Sequence, residues 1–204
     1  EYNINGGSFS SMAAADGAFD QVSENVTASA PAFMTTGVRT LCVQGQDAVG
    51  NTGAAECILL PVYDPTGGFV SGGGSISSPV GADRANPSAA GPAIFGFVSK
   101  YLHGANVPSG NLEFHFQAGG LNFKSTSMDW LVVTGEPRAM FRGTGTVNGV
   151  TVCKFEVDAW DSSFQPGNAD AFGLKIFSCD SHGDRYSLAA VPLNNGSIII
   201  HNPY

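Results

Sequence analysis

The sequence predicts an all-β protein, and three patterns in the chain support that prediction. Helical periodicity is nearly absent from the 204 residues. Apolar and polar residues instead alternate with a period of two, most clearly over 112–117 and 153–160. Turn-forming residues separate such runs, for example at 108–111 and 166–168. Many short strands divided by turns are typical of antiparallel β-sandwiches and barrels, so we expect one of these architectures.

Composition and charge exclude several classes of function. The net charge is −8, and no cluster of lysine and arginine is present. A nucleic-acid partner requires a basic face that neutralises phosphates, so we expect no nucleic acid to bind. No apolar run approaches the roughly 18 residues of a transmembrane helix, so we expect no membrane insertion.

The chain is predicted to contain two modules, residues 1–63 and residues 64–204. Residues 1–64 carry seven acidic groups and one basic group, whereas the rest of the chain is nearly balanced. The second module begins with a segment rich in glycine, serine and proline over 64–92. We expect this entry segment to be linker and long loop, with one short strand at 68–71.

The four cysteines, Cys42, Cys57, Cys153 and Cys179, are expected to form two disulfides. None forms a Cys-x-x-Cys motif, so standard zinc and redox spacings are absent. The midpoint between Cys42 and Cys57 falls in a turn-rich loop, so a hairpin would bring them together. Cys153 and Cys179 then pair by elimination. The alternative is that all four cysteines are buried free thiols. If the disulfides form, they indicate an extracellular or periplasmic location.

Two segments of the first module resemble the Ig-like repeats of bacterial and archaeal surface proteins. Residues 1–7 (EYNINGG) are similar to the Tyr-x-Ile-Asp-Gly-Gly hairpin of that family, and 43–51 (VQGQDAVGN) resemble its Ala-Thr-Asp-Ala-Ala-Gly-Asn turn. In the family, one or two strands precede the hairpin. The resemblance therefore implies an Ig-like antiparallel β-sandwich that is incomplete over residues 1–62.

The second module resembles the β-rich module that often closes large secreted surface proteins. Six motifs follow in order across 68–201, among them FGFVSKY at 95–101, LNFKST at 121–126 and GSIIIH at 196–201. The resemblance implies a larger antiparallel β-sandwich or barrel with a structural or adhesive role and no catalytic residues. The sequence also lacks the Gly-x-Ser-x-Gly and His-Glu-x-x-His motifs of hydrolases.

Calcium is the one cofactor that the residues suggest. Hard cations bind oxygen ligands from Asp, Asn and backbone carbonyls in loops. The predicted ligands follow one strand and the turn after it, and they are Asp158, Asp161, Asn168 and Asp170. Asp47 and Asn51 form a second candidate, although such residues more often bond to their own backbone in a turn.

Trp160 is the candidate binding residue for a glycan or a protein. It is out of phase with Phe155 and Val157, so we expect it on the opposite face of its strand. An exposed tryptophan on a sandwich face suits contact with carbohydrate or protein.

The sequence leaves two functional hypotheses. In the first, the protein is an extracellular structural or adhesive subunit that completes its open sandwich with a strand from another copy. The N-terminal segment or the apolar C-terminal strand would be donated head to tail, which gives a surface filament. Surface glycans or other surface proteins are further possible partners. The alternative is a carbohydrate-binding module, with or without calcium, of a secreted multidomain protein.

Overall fold

The computed structural model describes residues 1–30, 33, 35, 37–62, 68–134, 137–164, 169–180 and 183–201. Within these ranges the regular elements are β-strands and two single 3-10 turns, at Gln117–Gly119 and Ser162–Phe164. The strands are β1 (Tyr2–Ile4), β2 (Ala13–Ala14), β3 (Val26–Thr27), β4 (Gly37–Val43), β5 (Glu56–Val62), β6 (Phe69–Ser78), β7 (Gly91–Lys100), β8 (Ser109–Phe116), β9 (Leu121–Val133), β10 (Arg138–Val147), β11 (Thr151–Trp160), β12 (Ala171–Phe177), β13 (Tyr186–Pro192) and β14 (Asn195–His201). The all-β prediction is confirmed.

The chain divides after Val62 into two units. In the first unit, a three-stranded antiparallel sheet has the order β1-β4-β5, and β2 pairs separately with β3. In the second unit, nine antiparallel strands form one sheet in the order β13-β12-β11-β10-β9-β8-β7-β6-β14. Consecutive strands are neighbours in most of this sheet, which is the topology of a meander.

The nine-stranded sheet curls so that its inner face encloses the core of the second unit. Phe95 on β7 and Phe172 on β12 are five strands apart in the sheet, yet their ring centroids are 3.9 Å apart. Phe114 and Tyr186 meet in the same way at 5.0 Å. Inward side chains from all nine strands fill the space inside the curl, because every second residue along a strand points to the same face.

Contacts between β13 and the connection after β6 join the two sides of the curled sheet. The N–H of Ser187 donates to the carbonyl of Ala82 at 2.9 Å, and that of Arg84 donates to the carbonyl of Arg185 at 2.9 Å. Asp83 is fully buried and forms an ion pair with Arg185. Burial lowers the pKa of Arg185. A buried carboxylate needs such a partner, because an unpaired charge in the interior is costly.

The prediction of linker and long loop over 64–92, with a strand at 68–71, is wrong for 72–78 and 91–92, whereas 79–90 form the expected connection and 64–67 lie outside the described residues. β6 continues to Ser78, and β7 already begins at Gly91. The glycines of β6 allow the neighbouring strand β14 to pack closely against it. A Cβ at Gly72 would lie only 2.8 Å from Cγ1 of Ile198. A Cβ at Gly74 would overlap the carbonyl oxygen of Asn195. Glycine-rich composition therefore marks the close approach of β6 and β14.

Both predicted disulfides are confirmed. Cys42 is bonded to Cys57 and Cys153 to Cys179, so all four cysteines of the chain are paired. The first bond links β4 to β5 directly across the ladder. The second lies in the core of the second unit, where both of its cysteines are buried.

Candidate functional site

The pairing of β4 with β5 determines which backbone groups of β5 face outward. Cys42 is opposite Cys57, and their Cα atoms are 4.1 Å apart, the close spacing of a non-hydrogen-bonded pair. Thr40, opposite Leu59, accepts a hydrogen bond from the N–H of Asn5 and donates its own N–H to Oδ1 of Asn5, both at 2.8 Å. Thr40 thus bonds away from β5. The N–H and C=O groups of Cys57 and Leu59 therefore lie on the outer edge.

Among the residues that the structure describes, none pairs with the outer edge of β5, and in that sense the edge is open. β5 is the last strand of its sheet, and no hydrogen bond within the described part of the chain reaches the outward groups of Cys57 or Leu59. Pro61 occupies the next outward position and provides a carbonyl but no N–H. An open strand edge is a template for pairing with another strand. This edge offers two complete donor–acceptor residues and ends at Pro61.

The three-stranded sheet also carries an apolar face. The register places six apolar side chains on that face, and none of them is fully buried: Tyr2, Ile4, Leu41, Val43, Ile58 and Leu60. Ile58 is 63% exposed. Among the described residues of 1–62, the buried apolar residues are Ala14 and Cys42 alone. The first unit therefore keeps apolar surface that a partner could cover. Burial of such surface contributes a favourable free energy of about 25 cal/mol per Å².

Asp47 and Asn51 stabilise a turn. Oδ1 of Asp47 accepts the backbone N–H groups of Val49 at 3.1 Å and of Asn51 at 2.8 Å, and Oδ2 accepts the Asn51 side-chain amide at 2.8 Å. The side-chain and backbone hydrogen bonds from Asn51 lower the pKa of Asp47. The interpretation of these residues as a self-bonded turn is confirmed.

The three predicted calcium ligands that the structure describes, Asp158, Asp161 and Asp170, do not form a group that could hold a metal ion. Oδ1 and Oδ2 of Asp158 accept from Nε and Nη2 of Arg138 at 2.7 and 3.0 Å, which is a bidentate ion pair. Asn168 lies outside the described residues. In the ranges that the structure covers, no group of three His, Cys, Asp or Glu side chains could hold a metal ion.

Asp161 and Asp170, the other two predicted ligands, accept hydrogen bonds from the edge of β14 that faces away from β6. Oδ2 of Asp161 accepts from the N–H of Ile200 at 2.8 Å, and Oδ2 of Asp170 accepts from the N–H of Ile198 at 2.7 Å. Burial alone would raise the pKa of Asp170, but the bonds from Ile198 and Ser162 outweigh it and lower the pKa. We call Asp161 and Asp170 the carboxylate clamp.

Both donor segments considered from the sequence are already paired within the chain. β14 pairs along its whole length with β6, and its Ile198 and Ile200 are buried in the core. The N-terminal strand β1 pairs with β4. The outward groups of Tyr2 bond to Ser10 at 2.8 and 2.7 Å, which also covers the outer edge of β1. The folded chain therefore presents the edge of β5 without a free donor strand of its own in the described ranges.

Trp160 lies on the expected face of β11. Phe155 and Val157 are buried, whereas Trp160 is partly exposed on the other face. The guanidinium carbon of Arg138 is 5.1 Å from the centroid of the Trp160 ring, a cation–π distance. The arginine bound to Asp158 therefore also covers one face of the indole. A binding role for Trp160 stays a prediction.

Leu59 and Pro61 are site residues that sequence reasoning did not identify. The available signal was the proline inside the apolar run of β5. Proline lacks the donor that a central strand needs, so it is confined to edge strands, strand ends or bulges. The position of Pro61 in the sequence therefore favours an edge strand over a central one.

Comparison with family models, curated proteins and solved structures found no match to this chain. Within the described ranges, no helix has the length and hydrophobicity to cross a membrane. The class is therefore defined by fold and site: an all-β, disulfide-bonded protein in which β5 presents an open edge among the described residues.

Proposed function

We propose that this chain belongs to a non-catalytic, extracellular structural or adhesive protein whose copies associate by pairing of β-strands. The observation that carries the proposal is the open edge of β5 beside an apolar face with no fully buried side chain. Edge pairing satisfies backbone donors and acceptors and covers apolar side chains in one step.

The disulfides support the extracellular part of the proposal. The four cysteines form two disulfides, and disulfides persist in oxidising compartments such as the cell surface. The resemblance of the two modules to parts of large surface proteins agrees with a structural or adhesive role.

The test is negative-stain electron microscopy beside sedimentation velocity of the purified chain over a range of concentrations. We expect dimers or larger ordered assemblies that dissociate on dilution. Discrete monomers at every concentration would overturn the proposal. Retention of such monomers on a glycan array would support the carbohydrate-binding alternative instead.

A further inference from the structure

We infer that β5 of one copy pairs antiparallel with β5 of a second copy, about a two-fold axis that passes through Ile58. The inference rests on the proposed function, since it names the surface and the register through which copies associate. It goes beyond strand addition in general, because it names both the partner strand and the register of pairing.

The outward hydrogen-bonding groups of β5 are complementary to themselves. Cys57 and Leu59 each present one N–H and one C=O, and they lie symmetrically on either side of Ile58. When two such strands run antiparallel about Ile58, Cys57 of each copy faces Leu59 of the other. Each facing pair exchanges two hydrogen bonds, so all four outward N–H groups are satisfied.

The two neighbouring registers pair fewer backbone groups within the strand. An axis through Leu59 would place Cys57 opposite Pro61, which has no N–H to return. An axis through Cys57 would place Leu59 opposite Ala55, which lies outside the strand. Only the axis through Ile58 pairs both the N–H and the C=O of Cys57 and Leu59 with partners within the strand, because the axis through Leu59 leaves the Cys57 carbonyl without a donor.

The side chains agree with the same register. Ile58, which is 63% exposed in the single chain, would face Ile58 of the second copy. Glu56 of each copy would face Leu60 of the other, so the two carboxylates lie on opposite sides of the axis. The two three-stranded sheets would form one six-stranded sheet, and their apolar faces would be continuous.

A two-fold contact of this kind closes on itself. Each copy uses the same surface, so the assembly formed through β5 alone is a dimer. Head-to-tail growth, which the sequence predicted, needs a donor strand distinct from the acceptor edge. The structure leaves neither β1 nor β14 free for that purpose.

The first test compares Leu59→Pro with Leu59→Val by sedimentation. The N–H of Leu59 faces outward, so proline removes it without breaking a bond to β4. We expect Leu59→Pro to weaken dimerisation by at least about 30-fold, since the dimer loses one donor from each copy. Leu59→Val keeps the donor and should associate like the unmodified chain. Hydrogen exchange in β4 verifies that both variants keep the fold.

The second test reads the register by cysteine cross-linking. Ile58→Cys places two thiols opposite each other on the axis, at the spacing of a non-hydrogen-bonded pair, so mild oxidation should give a covalent dimer. Leu60→Cys is the matched control: the two thiols would be four residue positions apart and should not join. Peptide mapping must show the bond between the two introduced cysteines.

The failures are distinguishable. If the unmodified chain is monomeric, both the proposed function and this inference are wrong. If it associates and Leu59→Pro associates equally well, the association stands and the β5 interface is wrong. If Leu60→Cys cross-links and Ile58→Cys does not, the register about Ile58 is wrong.

Discussion

Single carboxylates in this chain act as backbone acceptors. Asp161 and Asp170 hold N–H groups of β14 that β6 cannot reach, and so satisfy the exposed side of an edge strand. The sequence placed Asp161 correctly in the loop after its strand, whereas the turn predicted before Asp170, at 166–168, lies outside the described residues. It could not reveal their partners, because Ile198 and Ile200 are 28 and 39 residues further along the chain. Calcium was expected because acidic residues in a loop have the same pattern in both roles.

The carboxylate clamp predicts an acid-dependent loss of stability. Asp170→Asn should lower the free energy of unfolding of the second unit by about 1 kcal/mol at pH 7, because the amide has one acceptor for two N–H donors. The folded-state pKa of Asp170 is lowered, so its contribution is present above the unfolded pKa and disappears as pH falls through the folded value.

Denaturant unfolding followed by tryptophan fluorescence measures this effect, since both tryptophans belong to the second unit. The difference between Asp170→Asn and the unmodified chain should be smaller at an acidic pH, below the unfolded pKa of about 3.9, than at pH 7. The exposed Asp184→Asn is the control and should change little at either pH. An equal loss for Asp170→Asn at both pH values would contradict the clamp.

Strands were predictable where alternation is local. The run 153–160 lies in β11 with the expected inner and outer faces. In a strand, alternate side chains point to opposite faces, so the polarity of each residue indicates which face it occupies. Only the first part of β6 was predicted, at 68–71, because glycine carries no side chain and so the rest of the strand shows no alternation. Its identity as a strand depends on Phe95, Phe97 and Ile198, which come from distant parts of the chain. The open edge of β5 likewise depends on what the rest of the sheet leaves unpaired.

Two glycines in neighbouring strands should respond oppositely to alanine. Gly74→Ala puts a methyl group into the carbonyl of Asn195 and should lower the free energy of unfolding by about 2 kcal/mol. Gly96→Ala meets open space and should be neutral or stabilising by up to about 1 kcal/mol, because glycine is unfavourable in a strand. Urea unfolding of both variants measures the difference, and equal effects would refute the close packing of β6 against β14.

The two units bury very different amounts of apolar surface. The second has a core that runs along most of its strands, whereas the described part of the first has two buried apolar residues. A small unit with little core depends on a covalent link. We therefore expect the disulfide between Cys42 and Cys57 to provide much of the stability of the first unit.

The variant that replaces both Cys42 and Cys57 with alanine tests this dependence. Loss of a link across 15 residues should cost about 3 kcal/mol in the chain-entropy model, enough to unfold the first unit. Hydrogen exchange measured by mass spectrometry should show loss of protection in β4 and β5. Tryptophan fluorescence of the second unit should stay unchanged. Retained protection in β4 and β5 would show that packing alone holds the first unit.

The disulfides also set how the chain would respond to tension. A force applied at the two ends passes directly from Cys42 to Cys57 and from Cys153 to Cys179, so the segments between them carry no load. Each disulfide prevents the enclosed residues from extending. The extended length withheld is about 50 Å for the 15-residue separation and about 90 Å for the 26-residue separation. In single-molecule stretching, reductant should lengthen the fully extended chain by these two amounts. A chain built in this way releases less length under shear, because most of β11 and all of β12 are bypassed by the covalent bond between Cys153 and Cys179.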